Sequence, residues 1–258
     1  MKVRVSAELT YAFAEPTQVI ALIEAAGSRD QTILSETLAE VPDTTWLRDS
    51  QLSGERSLRA CLSGEVTISY KAEVDNGSRL LLPSSGRQHL WNELPADVLP
   101  FLLPSRFCPS DQFQRFALRE FGQAGDGVAK VMAIMEWINR HVDYIAGVST
   151  AESAADHTFT VRAGVCRDFT HLAITFCRAL SIPARAVSAY AVDLQPPDFH
   201  AVVEVFLENQ WWIVDPTRLA PVEGMVRIAT GRDAADIAFL STDRPCQLVQ
   251  QSIKAESL

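Results

Sequence analysis

Cys166, His200 and Asp215 are the residues of this 258-residue chain whose types and surroundings suit covalent chemistry at a carbonyl carbon. Cys166 sits in Arg162-Ala163-Gly164-Val165-Cys166-Arg167-Asp168-Phe169, where Gly164 permits a tight turn. Phe169, Leu172, Ala173, Phe176, Cys177 and Leu180 then fall on one helical stripe, which Ser181-Ile182-Pro183 ends. Cys166 is therefore expected in the first turn, on the inward face. A helix N-terminus carries partial positive charge and unpaired N–H groups, which favour thiolate over thiol. The same N–H groups, the Cys166 backbone among them, can hold the oxyanion of a tetrahedral intermediate. A free cysteine is more often simply buried. Cys177, three turns along the same face with no polar company, reads as core, and Cys61, Cys108 and Cys246 have no chemical context either.

His200 opens the apolar run His200-Ala201-Val202-Val203-Glu204-Val205-Phe206, and Asp215 closes Trp211-Trp212-Ile213-Val214 ahead of Pro216. Each is ordinary alone. In this order they supply a nucleophile, a base and a carboxylate to orient the base. Hairpin register is the test. His200 directly faces Asp215 if paired positions sum to 415, which needs a two-residue turn at Leu207-Glu208 or a four-residue loop over 206–209. A turn over Glu208-Asn209-Gln210 gives 418 instead and sets Asp215 opposite Val203, displaced from His200 by about 10 Å at ~3.4 Å per residue.

Four ordered motifs, Gly164-Val165-Cys166-Arg167-Asp168, Ile182-Pro183-Ala184-Arg185, Phe199-His200-Ala201 with Glu204, and Trp212 through Asp215-Pro216-Thr217, resemble the core of the transglutaminase-like superfamily. The likeness is strongest to its bacterial "transglutaminase-like, putative cysteine protease" branch and spans roughly residues 107 to 240. It implies Cys166 as nucleophile, His200 as base and Asp215 as its orienter, on a helix with the Cys at its N-terminus packed against an antiparallel sheet. It also implies an upstream aromatic donor to the oxyanion. Trp137 falls inside a helix, which leaves Tyr144, with only a hydroxyl, as the candidate. The expected activity is thiol-dependent hydrolysis of a peptide, protein or small amide through an acyl-enzyme. Acyl transfer to an amine, as in a transglutaminase, and a non-catalytic binding module on the same scaffold are the alternatives. No cofactor or metal is expected. A zinc site of Cys166, His171 and Cys177 fails on spacing, because His171 lies about 140° around the helix from Cys166, and no loop has EF-hand oxygen spacing. Asp193, Asp198, Arg218 and Arg232 read as solvated surface charge.

The elements that must position these residues form an α+β chain, predicted as an N-terminal β-rich domain over 1–100 and a catalytic domain over 101–258. Val3, Val5, Ala7, Leu9, Tyr11 and Phe13 alternate with polar residues, as do Val66, Ile68, Tyr70, Ala72 and Val74 before the turn signal Asp75-Asn76-Gly77-Ser78. Residues 17–26 are assigned a short helix. Pro83, Ser84, Ser85, Gly86, Pro95, Pro100 and Pro104 mark the boundary. Beyond it, Asp126 caps a helix with Val128, Val131, Met132, Met135, Ile138 and Val142 inward. Strands follow over 186–192, 200–207 and 211–214.

The composition is globular, 47% apolar, with a formal net charge of −9. An acidic chain repels phosphate backbones and anionic lipid, so neither nucleic acid nor a membrane is an expected partner. Five cysteines at irregular spacing contain no CxxC pair. With charges interrupting the first residues and no apolar run of ~20 residues, a cytoplasmic protein with reduced thiols is expected. Oligomeric state is not legible.

Overall fold

The computed structural model describes residues 1–39, 41–42, 44–51, 54–77, 79 and 81–258. The first half is β1 (Lys2–Ala21), β2 (Thr32–Leu38), β3 (Leu47–Ser50) and β4 (Arg56–Asp75). Then come α1 (Ser110–Phe121), α2 (Gly127–His141), β5 (Asp143–Tyr144), α3 (Ala155–Val161), β6 (Ala163–Gly164) and α4 (Cys166–Ala179). The chain continues through β7 (Ala184–Ala191), β8 (Phe199–Leu207), β9 (Gln210–Val214), β10 (Met225–Gly231), α5 (Ala234–Ile237), β11 (Leu240–Thr242) and β12 (Gln247–Ser257). Helices and antiparallel sheets are thus combined in an α+β fold.

β1 and β4 are paired antiparallel along nearly their whole length. The alternation read from the sequence buries Val3, Val5, Ala7 and Leu9 on one strand and Ile68, Tyr70 and Val74 on the other. The expected helix over 17–26 is instead strand as far as Ala21. The register shifts between Phe13 and Thr17, across Glu15-Pro16, and pairing with β4 then resumes. A proline at a bulge costs no ladder bond, and burial of Val19 and Ala21 against the sheet outweighs local propensity. Ser78, part of the turn signal, lies outside the described residues.

β12 pairs with β1 over Val3–Ala12 and β11 with its far end, so residues 240–257 complete the N-terminal sheet. A division of the chain at residue 100 groups these residues with the second half, whereas hydrogen bonding groups them with the first. The run of edge-strand residues is polar, Gln247-Leu248-Val249-Gln250-Gln251-Ser252, and carries little periodic signal.

The second sheet has the order β10-β7-β8-β9, all antiparallel. α4 lies on β7 and β8 and is enclosed on its other sides by α1, α2 and α3. From Asp168 to Ala179 every residue is buried, so the apolar stripe is only the sheet-facing part of a wholly enclosed helix. Asp126 caps α2 as expected, accepting from the Gly127 N–H at 2.7 Å. Met135 is core, but Met132 is 49% exposed, because its face of α2 meets solvent rather than α4.

Between the two sheets lies a buried polar network. Glu204 of β8 is fully buried and paired with Arg185 (2.7 Å) and with Arg227, whose Nε is 3.1 Å away. Arg227 also reaches Asp30 at 3.0 Å, and its backbone N–H donates to Gln31, which binds the Ala26 carbonyl in turn. Burial raises the Glu204 carboxyl pKa, and the two guanidinium groups more than reverse that, leaving it below the usual range. A carboxyl depressed in the folded state adds stability above its unfolded pKa, and that stability is lost as pH falls through the folded value. Glu204→Gln should therefore destabilise the protein by about 3 kcal/mol at neutral pH, with the gap from wild type closing as pH is lowered below 4. Urea unfolding at a series of pH values checks this. Cys177→Ala, which removes a fully buried side chain, should cost about 1 kcal/mol in the same assay.

Candidate active site

Cys166 is the first residue of α4 and is partly exposed. Its turn is fixed by Asp168, two residues on and completely buried. One Asp168 oxygen accepts from the Val165 N–H at 2.9 Å and from the Ser149 hydroxyl at 2.5 Å, and the other meets Arg167 at 3.1 Å. Arg167 also holds Ser149 Oγ and the Thr150 carbonyl, both at 3.0 Å. An acidic residue at the third helical position satisfies an orphan N–H and favours the helix dipole. Gly164 makes room for it. A Cβ at 164 would lie 2.6 Å from Asp168 Cβ. The glycine thus matters for side-chain space, not for a left-handed backbone.

His200 sits near the start of β8, opposite Ala189 of β7, with 1% exposure. Its Nε2 is 2.9 Å from Asp215 Oδ2. Asp215 lies just past β9 and is itself held. Oδ1 accepts from the Thr217 N–H at 2.8 Å and the Thr217 hydroxyl at 2.7 Å, and Oδ2 from the Ala220 N–H at 3.3 Å. With Nε2 committed, Nδ1 is the ring nitrogen left for a further partner, and Cys166 lies near enough to act on the ring. Burial alone would lower the His200 pKa. The Asp215 and Cys166 contacts overcome it and raise it to about 9. Asp215 moves the other way: burial raises its pKa, and His200 with Thr217 lowers it below the usual range.

The hairpin register is neither of the two considered from sequence. Leu207 pairs with Gln210 and Val203 with Val214, so paired positions sum to 417. The two-residue turn is Glu208-Asn209, both with positive φ (50° and 62°), the primed geometry that matches strand twist. Asp215 therefore stands across from Val202, not His200. An odd sum still keeps His200, Val202 and Asp215 on one face of the sheet. His200 and Asp215 meet as diagonal neighbours, within reach of long side chains.

Tyr144 is also brought to the site. β5 pairs in parallel with β6, setting Tyr144 beside Gly164, two residues before Cys166. The ring leans on Phe169, centroids 5.8 Å apart. Its hydroxyl lies near enough to Cys166 for the two to interact, and burial followed by the charge of Cys166 pushes the Tyr144 pKa up to about 12. Trp137 instead packs among Phe116, Phe121 and Phe176.

The remaining sequence candidates separate. His171 stacks on Phe107 at 5.1 Å and accepts from the Ala234 N–H through Nε2, so it is turned away from Cys166. Burial lowers its pKa to about 4. Burial likewise raises Cys108 and Cys177 to about 12. Arg218 pairs with Glu136 and Arg232 with Asp236, both exposed, and Asp193 is exposed as well. Asp198 departs from the reading of plain surface charge. Although solvent-facing, it lies close enough to His200 and Tyr144 to interact with both. Asp168 and Thr217 stood in the quoted motifs without a role. The signal for Asp168 was its place three residues past the helix-opening Val165, and for Thr217 the Asp-Pro-Thr turn.

Residues 115–216 match the transglutaminase-like superfamily. A solved structure from Cytophaga hutchinsonii, described as a "Putative Cysteine Protease", superposes with a TM-score of 0.92 at 40% identity, over 100% of this chain and 91% of that one. "Uncharacterized protein ML0607" of Mycobacterium leprae is 28% identical over 68% of this chain and 67% of its own length. The periplasmic domain of TgpA from Pseudomonas aeruginosa aligns at 18% identity and a TM-score of 0.45, over 85% of this chain and 91% of that one. The chain belongs to the transglutaminase-like superfamily. Among the described residues no helix is long and apolar enough to cross a membrane.

Gly164→Ala should displace Asp168 and loosen the first turn of α4. The expected outcome is a lower melting temperature together with slower alkylation of Cys166, read site by site by mass spectrometry. An unchanged labelling rate would mean that Asp168 does not set the position of the sulfur.

Proposed function

We propose that the protein is a thiol-dependent hydrolase of a peptide or amide bond, acting through an acyl-enzyme on Cys166. The observation that carries this reading is the contact chain from Cys166 through His200 to Asp215, with a helix N-terminus under the sulfur and a buried, oriented imidazole beside it. Attack by the Cys166 sulfur forms the C–S bond and moves the carbonyl electron pair to oxygen. The Cys166 N–H and the Tyr144 hydroxyl, which lie near each other, are the donors for that oxygen. Collapse breaks the C–N bond, and the imidazolium of His200 gives its proton to the departing amine. Water then attacks the thioester. His200 takes its proton, the C–S bond breaks, and the acid is released. Asp215 orients the ring and stabilises its charge throughout. Substrates of this class are peptides, proteins or small amides. The same thioester can pass to an amine, which product analysis with and without added amine distinguishes.

Intact-mass analysis of the protein incubated with a peptide and amide library should show an adduct on Cys166 that Cys166→Ala lacks. Cys166→Ala should abolish turnover with little change in melting temperature, and Tyr144→Phe should lower kcat about 10²-fold. If Cys166→Ala unfolds the protein, Cys166 is structural and the proposal fails.

The pH dependence follows from His200. With a helix N-terminus and the imidazole beside its sulfur, Cys166 should be labelled by iodoacetamide ahead of the exposed Cys61 at pH 6. His200→Ala removes the neighbouring cation and should slow that labelling. Because the folded His200 pKa is raised to about 9 from the ordinary 6.5 of a free imidazole, the imidazolium contributes stability fully below pH 6.5, and the contribution disappears as pH rises through 9. The difference in melting temperature between wild type and His200→Ala should therefore shrink across that window.

A further inference from the structure

Asp198 stands immediately before β8, two residues ahead of His200. Its Oδ1 takes two hydrogen bonds, from the Phe199 N–H at 2.7 Å and from Gln251 Nε2 at 2.5 Å. Gln251 belongs to β12, so the carboxylate is held from the catalytic strand and from the N-terminal sheet at once. Both bonds fall on one oxygen. Oδ2 has no partner among the described residues, and no lysine or arginine forms an ion pair with this carboxylate there. The groups that feel its charge are His200 and Tyr144, the two that flank Cys166. Partial burial raises its pKa, a cost that a bound cation would offset.

On the reading of Cys166 as nucleophile, we infer that Asp198 is a specificity-determining residue: its free oxygen forms a subsite for a cationic group, an ammonium or guanidinium carried by the substrate close to the scissile amide. The rest of the mouth suits such a group. Tyr144 is 47% exposed, and an aromatic ring near a carboxylate is a favourable setting for a cation. The arrangement also disfavours an acidic substrate, which would meet an unpaired carboxylate at the entrance. Asp193, on the preceding turn, lacks these features. It is exposed, with a left-handed backbone at φ 65°.

The test uses three small alkylating probes that differ in charge: 2-bromoethylammonium, iodoacetamide and iodoacetate. Rates at Cys166 are read by site-resolved mass spectrometry in wild type, Asp198→Asn, Asp198→Ser and Asp193→Asn. Both changes at 198 keep an oxygen to accept the Phe199 N–H. Each protein is scored by its own cation-to-neutral and anion-to-neutral rate ratios, which cancels differences in overall reactivity. Removing the Asp198 charge should lower the cationic ratio and raise the anionic ratio by roughly threefold to fivefold, the change an ion pair at a solvent-facing site supports. Asp193→Asn should leave both ratios where they were. Ratios that do not move in either Asp198 variant, or that move as much in Asp193→Asn, overturn the subsite. Failure of the nucleophile reading looks different: iodoacetamide alone would then label Cys166 no faster than Cys61 in the wild-type protein.

Discussion

An imidazole with 1% exposure loses its proton unless something in the fold compensates for the missing water, and the candidate site depends on that compensation. Burial pushes the His200 pKa down, and Asp215 and Cys166 push it up further than burial took it down. Asp215 can do this only because its own oxygens are fully committed to Thr217, Ala220 and His200. A carboxylate with spare lone pairs in a dry setting would be costly to keep charged. The Asp-Pro-Thr turn therefore acts on the sulfur from two steps away. It holds the carboxylate, the carboxylate holds the ring, and the ring lies near enough to Cys166 for the two to interact.

The sulfur is located by a second buried carboxylate, which works on the backbone instead of on a base. Asp168 ties the Val165 N–H, Ser149 and Arg167 into the entry of α4. The short β5–β6 pairing then sets Tyr144 against the same turn. Cys166 and Tyr144 thus share one local framework, while His200 and Asp215 share the hairpin of β8 and β9. Enclosure of α4 against β7 and β8 brings the two frameworks together, and this is why a helix that carries one reactive residue at its tip is buried along the rest of its length. The Glu204–Arg227–Asp30 network, on the face of β8 that also carries His200, ties the second sheet to the β1–β2 connection. β12 returns from that sheet to place Gln251 on Asp198.

What the sequence made legible followed from periodicity and from residue type. The alternation in β1 and β4, the stripe of α4 and the strand positions of β8 and β9 each report which face meets the core, and the core is where tertiary structure agrees with local pattern. The three candidate residues could be named because three scarce chemical types occur in a meaningful order, within motifs that resemble a known superfamily. The helix assigned to 17–26 failed because a 20-residue partner strand, β4, imposes extended geometry across Glu15-Pro16, and nothing local announces it. Met132 failed because a three-and-four stripe wider than the buried arc cannot say where solvent begins. β12 carries little local signal because its exposed run from Gln247 to Ser252 takes its information from its partner β1.

The hairpin register shows the same division between local and non-local information. Turn chemistry at Glu208-Asn209 decides the pairing, and positive φ at two successive non-glycine residues is hard to foresee, although asparagine tolerates it. The resulting register moves Asp215 two positions away from direct opposition to His200, yet the pair forms. Side-chain period in a strand is two, so a shift of two preserves the face and changes only the reach, whereas a shift of one would have turned Asp215 to the opposite side. Parity, not exact opposition, is thus the requirement that this hairpin places on the triad. The segment that leads into β8 then carries the residue two places before His200 close to that ring. Here that residue is an unpaired carboxylate, and the chemistry of the entrance follows from the geometry that made the base available.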